Sequence, residues 1–126
     1  MDESKKVRGQ GGFTLIEIIA VLVILGILAA VAVPKYIDMQ QEARNKAVNS
    51  ALAALASSAS MQYANHLMTG GDSTAWAPAT GSLTVGEFVG SIGNASGLVT
   101  VTVSSGPTWV SSVDSSNRSK TFYMYQ

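Results

Sequence analysis

The sequence predicts an α+β fold in which one long N-terminal α-helix packs on a small C-terminal antiparallel β-sheet. Apolar residues from position 13 to about 68 recur with helical spacing, first as an unbroken run and then as one stripe. The last third instead alternates apolar and hydroxyl-bearing residues, which is typical of strands with one buried face. The 126 residues suffice for one domain and an anchor.

The unbroken apolar run predicts a membrane-inserted helix over residues 13–34. Phe13 to Val33 comprises 21 residues with a single charge, Glu17. A helix of this length spans roughly 31 Å, close to the thickness of the hydrocarbon core of a bilayer. Basic residues precede the run at Lys5, Lys6 and Arg8. Because positive flanks stay cytoplasmic, we expect the C-terminal part to be translocated.

Glu17 needs an explanation, because a charge at the centre of a membrane helix costs about 2.5–3.5 kcal/mol. Glu17 follows Phe13 by only four residues. One interpretation is a tolerated charge near the membrane interface. The other is a carboxylate that meets a cationic partner when helices pack together away from lipid.

The segment Gly12-Phe13-Thr14-Leu15-Ile16-Glu17, after a charged leader and before an apolar helix, resembles the processing site of type IV prepilins. The resemblance implies that a prepilin peptidase removes residues 1–12 by cutting between Gly12 and Phe13. It then methylates the new amino group of Phe13. Mature subunits would leave the inner membrane through the pilus assembly machinery and stack into a helical surface filament. In that filament Glu17 would pair with the terminal amine of a neighbouring subunit.

Two further residues match the helix-weakening positions of this family. Gly26 costs about 1 kcal/mol relative to alanine, and Pro34 removes a backbone hydrogen bond and clashes with the preceding turn. We expect the segment between them to melt locally when subunits move from bilayer to filament. Pro34 could instead only kink the helix where it leaves the membrane.

Residues 35–126 are predicted to form the globular pilin head. Its helix, residues 35–68, carries one apolar stripe that should face the sheet. The stripe consists of Val48, Leu52, Leu55, Ala59, Tyr63 and Leu67. Gly70 and Gly71 predict the helix end, and residues 69–82 a loop. Trp76 in this loop either anchors a neighbouring subunit or folds onto its own domain.

The β-meander is expected at about residues 98–125. Leu98–Val103, Thr108–Val113 and Lys120–Tyr125 are the predicted strands, joined by polar turns. For residues 84–92 we expect one or two helical turns, capped by Ser82 or Thr84.

Composition argues for a structural protein without cofactors. After residue 12 the chain has 5 basic and 6 acidic residues, so bulk charge gives no reason to expect nucleic-acid binding. No cysteine is present, whereas many type IV pilins close a C-terminal loop with a disulfide. No catalytic constellation is recognisable, so we expect no enzyme. We expect no metal site either, since neither His66 nor the scattered carboxylates Asp72, Glu87 and Asp114 have ligand spacing.

Three other functions compete with a pilus subunit. The first is a pseudopilin that builds a short periplasmic pseudopilus in type II secretion. The second is a secreted soluble domain starting at Val33, because Ala30-Val31-Ala32 has the form of a signal-peptidase site. The third is an electron conduit, which the aromatic content of 7% disfavours.

Overall fold

The computed structural model describes residues 11–125; the charged residues of the predicted leader, at positions 2–8, lie outside the described residues. The chain divides into two units, Met1–Asp38 and Met39–Gln126. The element order is one α-helix, α1 (Leu15–Met68), followed by four strands: β1 (Leu83–Val85), β2 (Phe88–Ala95), β3 (Leu98–Ser105) and β4 (Ser119–Tyr123). Two 3-10 helices, Val110–Ser112 and Ser115–Arg118, connect β3 to β4.

The α+β prediction is confirmed. The strands form one antiparallel sheet in the order β1-β2-β3-β4, so that neighbours in sequence are neighbours in the sheet. Because each strand pairs with the next one in sequence, no connection has to cross the sheet. The second half of α1 packs on this sheet.

The stripe on α1 forms the helical side of the core. Val48, Leu52, Leu55 and Ala59 are buried, and Tyr63 packs against them half-buried. Leu67, predicted to belong to the same stripe, is exposed in the last turn. The sheet contributes Ile92 together with every second residue of β3, namely Val99, Val101 and Val103.

The helix and the sheet approach most closely at Gly90 of β2. A Cβ atom placed there would lie 2.5 Å from Leu55 Cδ1 and 2.6 Å from the carbonyl oxygen of Thr102. Only glycine leaves enough room for Leu55 to lie against the sheet at this point.

The prediction of helical turns at residues 84–92 is wrong, because this stretch forms β1, a tight turn and the first half of β2. Val85 pairs with Phe88, which leaves Gly86 and Glu87 as a two-residue hairpin loop. Gly86 has φ +59°, a conformation that glycine adopts readily at the first position of such loops. The meander therefore starts at Leu83 rather than at about residue 98.

The predicted strand Thr108–Val113 is also wrong. Its centre is the 3-10 helix Val110–Ser112, and Val110 and Val113 are both buried. Since a 3-10 helix repeats every three residues, these two valines point to the same side. The two buried valines are three residues apart, as a 3-10 turn requires, and not two apart as in a strand.

The end of α1 agrees with its prediction. The N–H of Gly71 donates to the carbonyl of His66 at 2.9 Å, and that of Gly70 donates to Leu67 at 3.1 Å. With Gly70 at φ +83°, this is a Schellman motif. The loop that follows is fixed by Trp76, which is only 4% exposed and lies edge-on to Tyr63. Trp76 thus folds onto its own domain.

The C-terminal strand is fastened without a disulfide. The N–H of Met124 donates to the carbonyl of Gly97 at 2.9 Å. Asn94 donates through Nδ2 to the hydroxyl of Tyr125 at 3.0 Å, and the ring of Tyr125 stacks on Tyr63 at 5.7 Å. Hydrogen bonds and aromatic packing therefore hold the chain end where the sequence offers no cysteine.

Candidate functional site

The candidate site is the start of α1, where Thr14 and Glu17 bond to each other. The N–H of Thr14 donates to Oε2 of Glu17 at 2.9 Å, and the N–H of Glu17 donates to Oγ1 of Thr14 at 3.4 Å. With the helix beginning at Leu15, Thr14 is the N-cap and Glu17 the third helical residue. This reciprocal arrangement is a capping box, which satisfies two backbone donors that the helix itself leaves unpaired.

Electrostatics favour a carboxylate at this place. The N-terminal end of an α-helix carries a partial positive charge, so a negative side chain in the first turn is stabilised by about 0.3–1 kcal/mol. Glu17 is the acidic residue of the first turn. Its position therefore has a structural reason that is independent of any partner from another chain.

The predicted cleavage site lies immediately before this cap. Gly12 and Phe13 are exposed and have no regular secondary structure, and the Phe13 side chain is 85% exposed. An exposed backbone without regular secondary structure is accessible to a peptidase. The predicted cut between Gly12 and Phe13 thus lies just before the helix, with Thr14 between it and the Glu17 carboxylate.

Gly26 and Pro34 are both inside α1, and the helix runs through both residues. A Cβ atom at Gly26 would meet nothing within 4 Å. Packing among residues 11–125 therefore does not require a glycine here.

The apolar run is exposed along its whole length. The structure contains one helix that is long and apolar enough to cross a membrane, and none of its most apolar window is buried within the described chain. Large aliphatic side chains between Leu15 and Val33 are 44–79% exposed. An apolar surface of this extent marks a region that lipid or other protein covers.

The capping box was missed in the sequence. A threonine followed three residues later by glutamate, just before an apolar run, is its usual signature. Glu17 was interpreted as a charge within apolar residues and as the glutamate of the prepilin motif, whereas the same rule was applied at Ser82 and Thr84, immediately before and within β1.

Candidate ligand groups elsewhere do not assemble. In residues 11–125, no three His, Cys, Asp or Glu side chains form a group that could hold a metal ion. His66 Nε2 lies 3.0 Å from the carbonyl oxygen of Asp72, where it ties the loop to α1.

The Asp72 carboxylate forms hydrogen bonds within the loop that follows α1. Hydrogen bonds from the backbone N–H of Thr74 and from its hydroxyl, both 2.8 Å, lower the pKa of the Asp72 carboxyl. Asp114 similarly accepts from Ser116, whose side-chain and backbone hydrogen bonds lower the pKa of the Asp114 carboxyl. Both carboxylates therefore have local structural roles.

Comparisons with known proteins find a family motif at the start of α1 and relatives over most of the chain. Residues 7–33 match the family model of the prokaryotic N-terminal methylation motif. The fimbrial protein of Neisseria meningitidis serogroup B is 38% identical over 96 residues, which cover 76% of this chain and 56% of that protein. The type IV major pilin protein PilE of Neisseria gonorrhoeae is 36% identical over 96 residues, covering 76% and 58%.

A type II secretion relative also matches. The core protein G of the type II secretion system of Pseudomonas aeruginosa is 44% identical over 54 residues, or 43% of this chain and 38% of that protein. No solved structure has significant similarity to the chain. The chain spans little more than half the length of the two neisserial relatives. From its methylation motif and these relatives, the chain is a member of the type IV pilin and pseudopilin superfamily.

Proposed function

We propose that the chain is a structural subunit that polymerises through its N-terminal helix into a type IV pilus-like surface filament. The observation that carries this proposal is the exposed apolar first half of α1, which begins at a capped glutamate and has no partner surface in the described chain. Lipid covers this half before assembly and copies of the same helix cover it afterwards. The superfamily is structural rather than enzymatic, and its members assemble into filaments.

Assembly begins with processing at the inner membrane. A prepilin peptidase cuts between Gly12 and Phe13 and methylates Phe13. The exposed, non-helical backbone of both residues supports this step. Residues 1–12 leave as the leader, residues 13–34 remain as the membrane helix, and residues 35–126 form the translocated head.

In the filament, Glu17 pairs with the amine of Phe13 from a neighbouring subunit. Each charge alone would be costly in an apolar core, and pairing offsets both costs. A carboxylate holds several acceptor sites, so Glu17 can keep its bond to the Thr14 N–H and still accept from an amine. Gly26 and Pro34 supply the local flexibility that docking of the helix requires.

The test separates the charge of Glu17 from its capping role. The full chain and its variants are expressed in a host with a type IV pilus machinery but without its own major pilin. Glu17→Gln keeps a side-chain acceptor for the Thr14 N–H and removes the charge, whereas Glu17→Ala removes both. Glu42→Gln is the matched control, because it removes a carboxylate from the same helix whose exposed ion pair with Lys46 is 3.3 Å long.

Filaments are sheared from the cell surface and are quantified by electron microscopy and immunoblotting. We expect filaments from the natural chain and from Glu42→Gln, and at least a ten-fold loss with Glu17→Gln despite cleavage after Gly12. Normal filaments from Glu17→Gln would refute the charge pair. No filaments from the natural chain would refute the pilus assignment.

A pseudopilin of type II secretion is the second candidate, which the similarity to the core protein G of Pseudomonas aeruginosa favours. The discriminating experiment is deletion in the native host. Loss of secreted enzymes without loss of surface filaments would assign the chain to a pseudopilus, and the opposite pattern to a pilus.

A further inference from the structure

A polar cleft of about 190 Å³ lies in the head between the end of β3 and the 3-10 helix Val110–Ser112. Hydroxyl-bearing residues line it together with one cation; the residues used below are Ser105, Thr108, Ser111 and Arg118. Ser111 donates its hydroxyl to the carbonyl of Thr108 at 3.3 Å. Ser105 and Thr108 are exposed, and a hydroxyl can donate one hydrogen bond to a ligand.

Arg118 brings an unsatisfied positive group to this cleft. Its Nε atom is buried and has no hydrogen-bond partner in the described chain. A buried donor without an acceptor costs about 1–3 kcal/mol. Buried unpaired groups are rare in native proteins, so this donor calls for an explanation.

The charge of Arg118 forms no close ion pair within residues 11–125, although Asp114 lies near enough for the positive charge of Arg118 to contribute to the lowered pKa of the Asp114 carboxyl. No carboxylate of residues 11–125 lies within ion-pair distance of it. The acidic residue nearest in sequence, Asp114, uses its Oδ1 to accept both the backbone N–H and the hydroxyl of Ser116, at 2.8 and 2.7 Å. The cleft therefore combines a guanidinium with hydroxyl donors. None of its lining residues is acidic.

We propose that this cleft binds a carboxylate or a similar small oxyanion through Arg118, with Ser105 and Thr108 as auxiliary donors. A guanidinium presents its donors in a planar fork that matches two oxygens of such a ligand. The site is independent of Glu17 and of filament formation. The ligand oxygen comes from a free anion or from an acidic side chain of a second copy of the chain.

The test uses the full-length chain in detergent micelles, observed by ¹⁵N NMR. Sodium acetate and sodium phosphate are titrated at constant ionic strength against sodium chloride. The reporters are the Nε–Hε signal of Arg118 and the amides of Ser105 and Thr108. Arg118→Gln removes the fork, and Arg118→Lys keeps the charge without it. Lys120→Gln is the matched control, because it removes an exposed cation two residues away on β4. The amide of Gly90 reports that each variant is folded.

We expect saturable shifts of the three reporters with half-saturation on the order of millimolar, corresponding to about 4 kcal/mol. The shifts are lost in Arg118→Gln, reduced in Arg118→Lys and unchanged in Lys120→Gln. If the source is a second copy, the same signals move when the protein is concentrated without added anion, and acetate reverses the movement. Signals that respond to neither treatment, or that respond equally to chloride, would overturn the proposal.

Discussion

Substitution of Gly90 by alanine tests whether the head is held by close packing of α1 on the sheet. The new Cβ would lie 2.5 Å from Leu55 Cδ1 and 2.6 Å from the carbonyl oxygen of Thr102. Neither neighbour can yield easily. Leu55 is 1% exposed within the core, and Thr102 is part of the β2–β3 ladder, where it pairs with Ser91.

Overpacking of this kind costs about 1–3 kcal/mol, while the lower chain entropy of unfolded alanine offsets about 0.4–1 kcal/mol. We therefore expect Gly90→Ala to reduce the free energy of unfolding by about 1–2 kcal/mol. For a domain of this size, 1 kcal/mol shifts Tm by about 4–8 °C, so Tm should fall by about 4–16 °C.

The assay is thermal unfolding of the full chain in micelles, followed by near-ultraviolet circular dichroism. The buried Trp76 makes this signal report on the head rather than on the apolar half of the helix. Gly93→Ala is the control on the same strand, because the nearest atom to its Cβ would be 3.9 Å away. Equal Tm values for the two variants would refute the packing argument.

Other predictions test the core, the cap and the loops. Leu55→Ala should lower the free energy of unfolding by about 2–5 kcal/mol in a denaturant titration; a cost below 1 kcal/mol would contradict its place in the core. Thr14→Val should accelerate hydrogen exchange at the Glu17 amide and weaken the helix start by about 0.5–2 kcal/mol, whereas Thr14→Ser should not. Because the pKa of Asp72 is lowered in the folded chain, its stabilisation is complete above about pH 4 and is lost as pH falls through the folded value; stability measured from pH 5 to 2 should fall less steeply in Asp72→Asn, and parallel curves would exclude this role.

The pattern of apolar residues over long stretches of the sequence was sufficient to predict the fold class. The stripe from Val48 to Ala59 lies in the core as its spacing predicted, and the alternation of Leu98–Val103 forms the central part of β3. These signals are strong because burial repeats over many residues.

Short segments could not be predicted in the same way. Residues 84–92 contain glycines at positions 86 and 90, which serve a turn and a close approach that only the folded sheet defines. Val110 and Val113 reach the core through a single 3-10 turn, and one pair of apolar residues gives no period to read. Tertiary context decided both structures.

At the candidate site, the sequence identified the residues but not their local bonding. Glu17 stood out as a charge within apolar residues, yet its first partner in the structure is the N–H of Thr14 two residues after the predicted cut. The cleft at Arg118 had no sequence signal, because it is assembled from the end of β3 and two 3-10 turns.

The most direct test of the proposed function is the intact mass and N-terminal sequence of the protein recovered from its native host. We predict a chain that begins at N-methylated Phe13. A chain that begins at Val33 would instead be a secreted soluble domain, and an unprocessed chain would be a simple membrane anchor. Either result would contradict the proposal that this protein is a processed filament subunit.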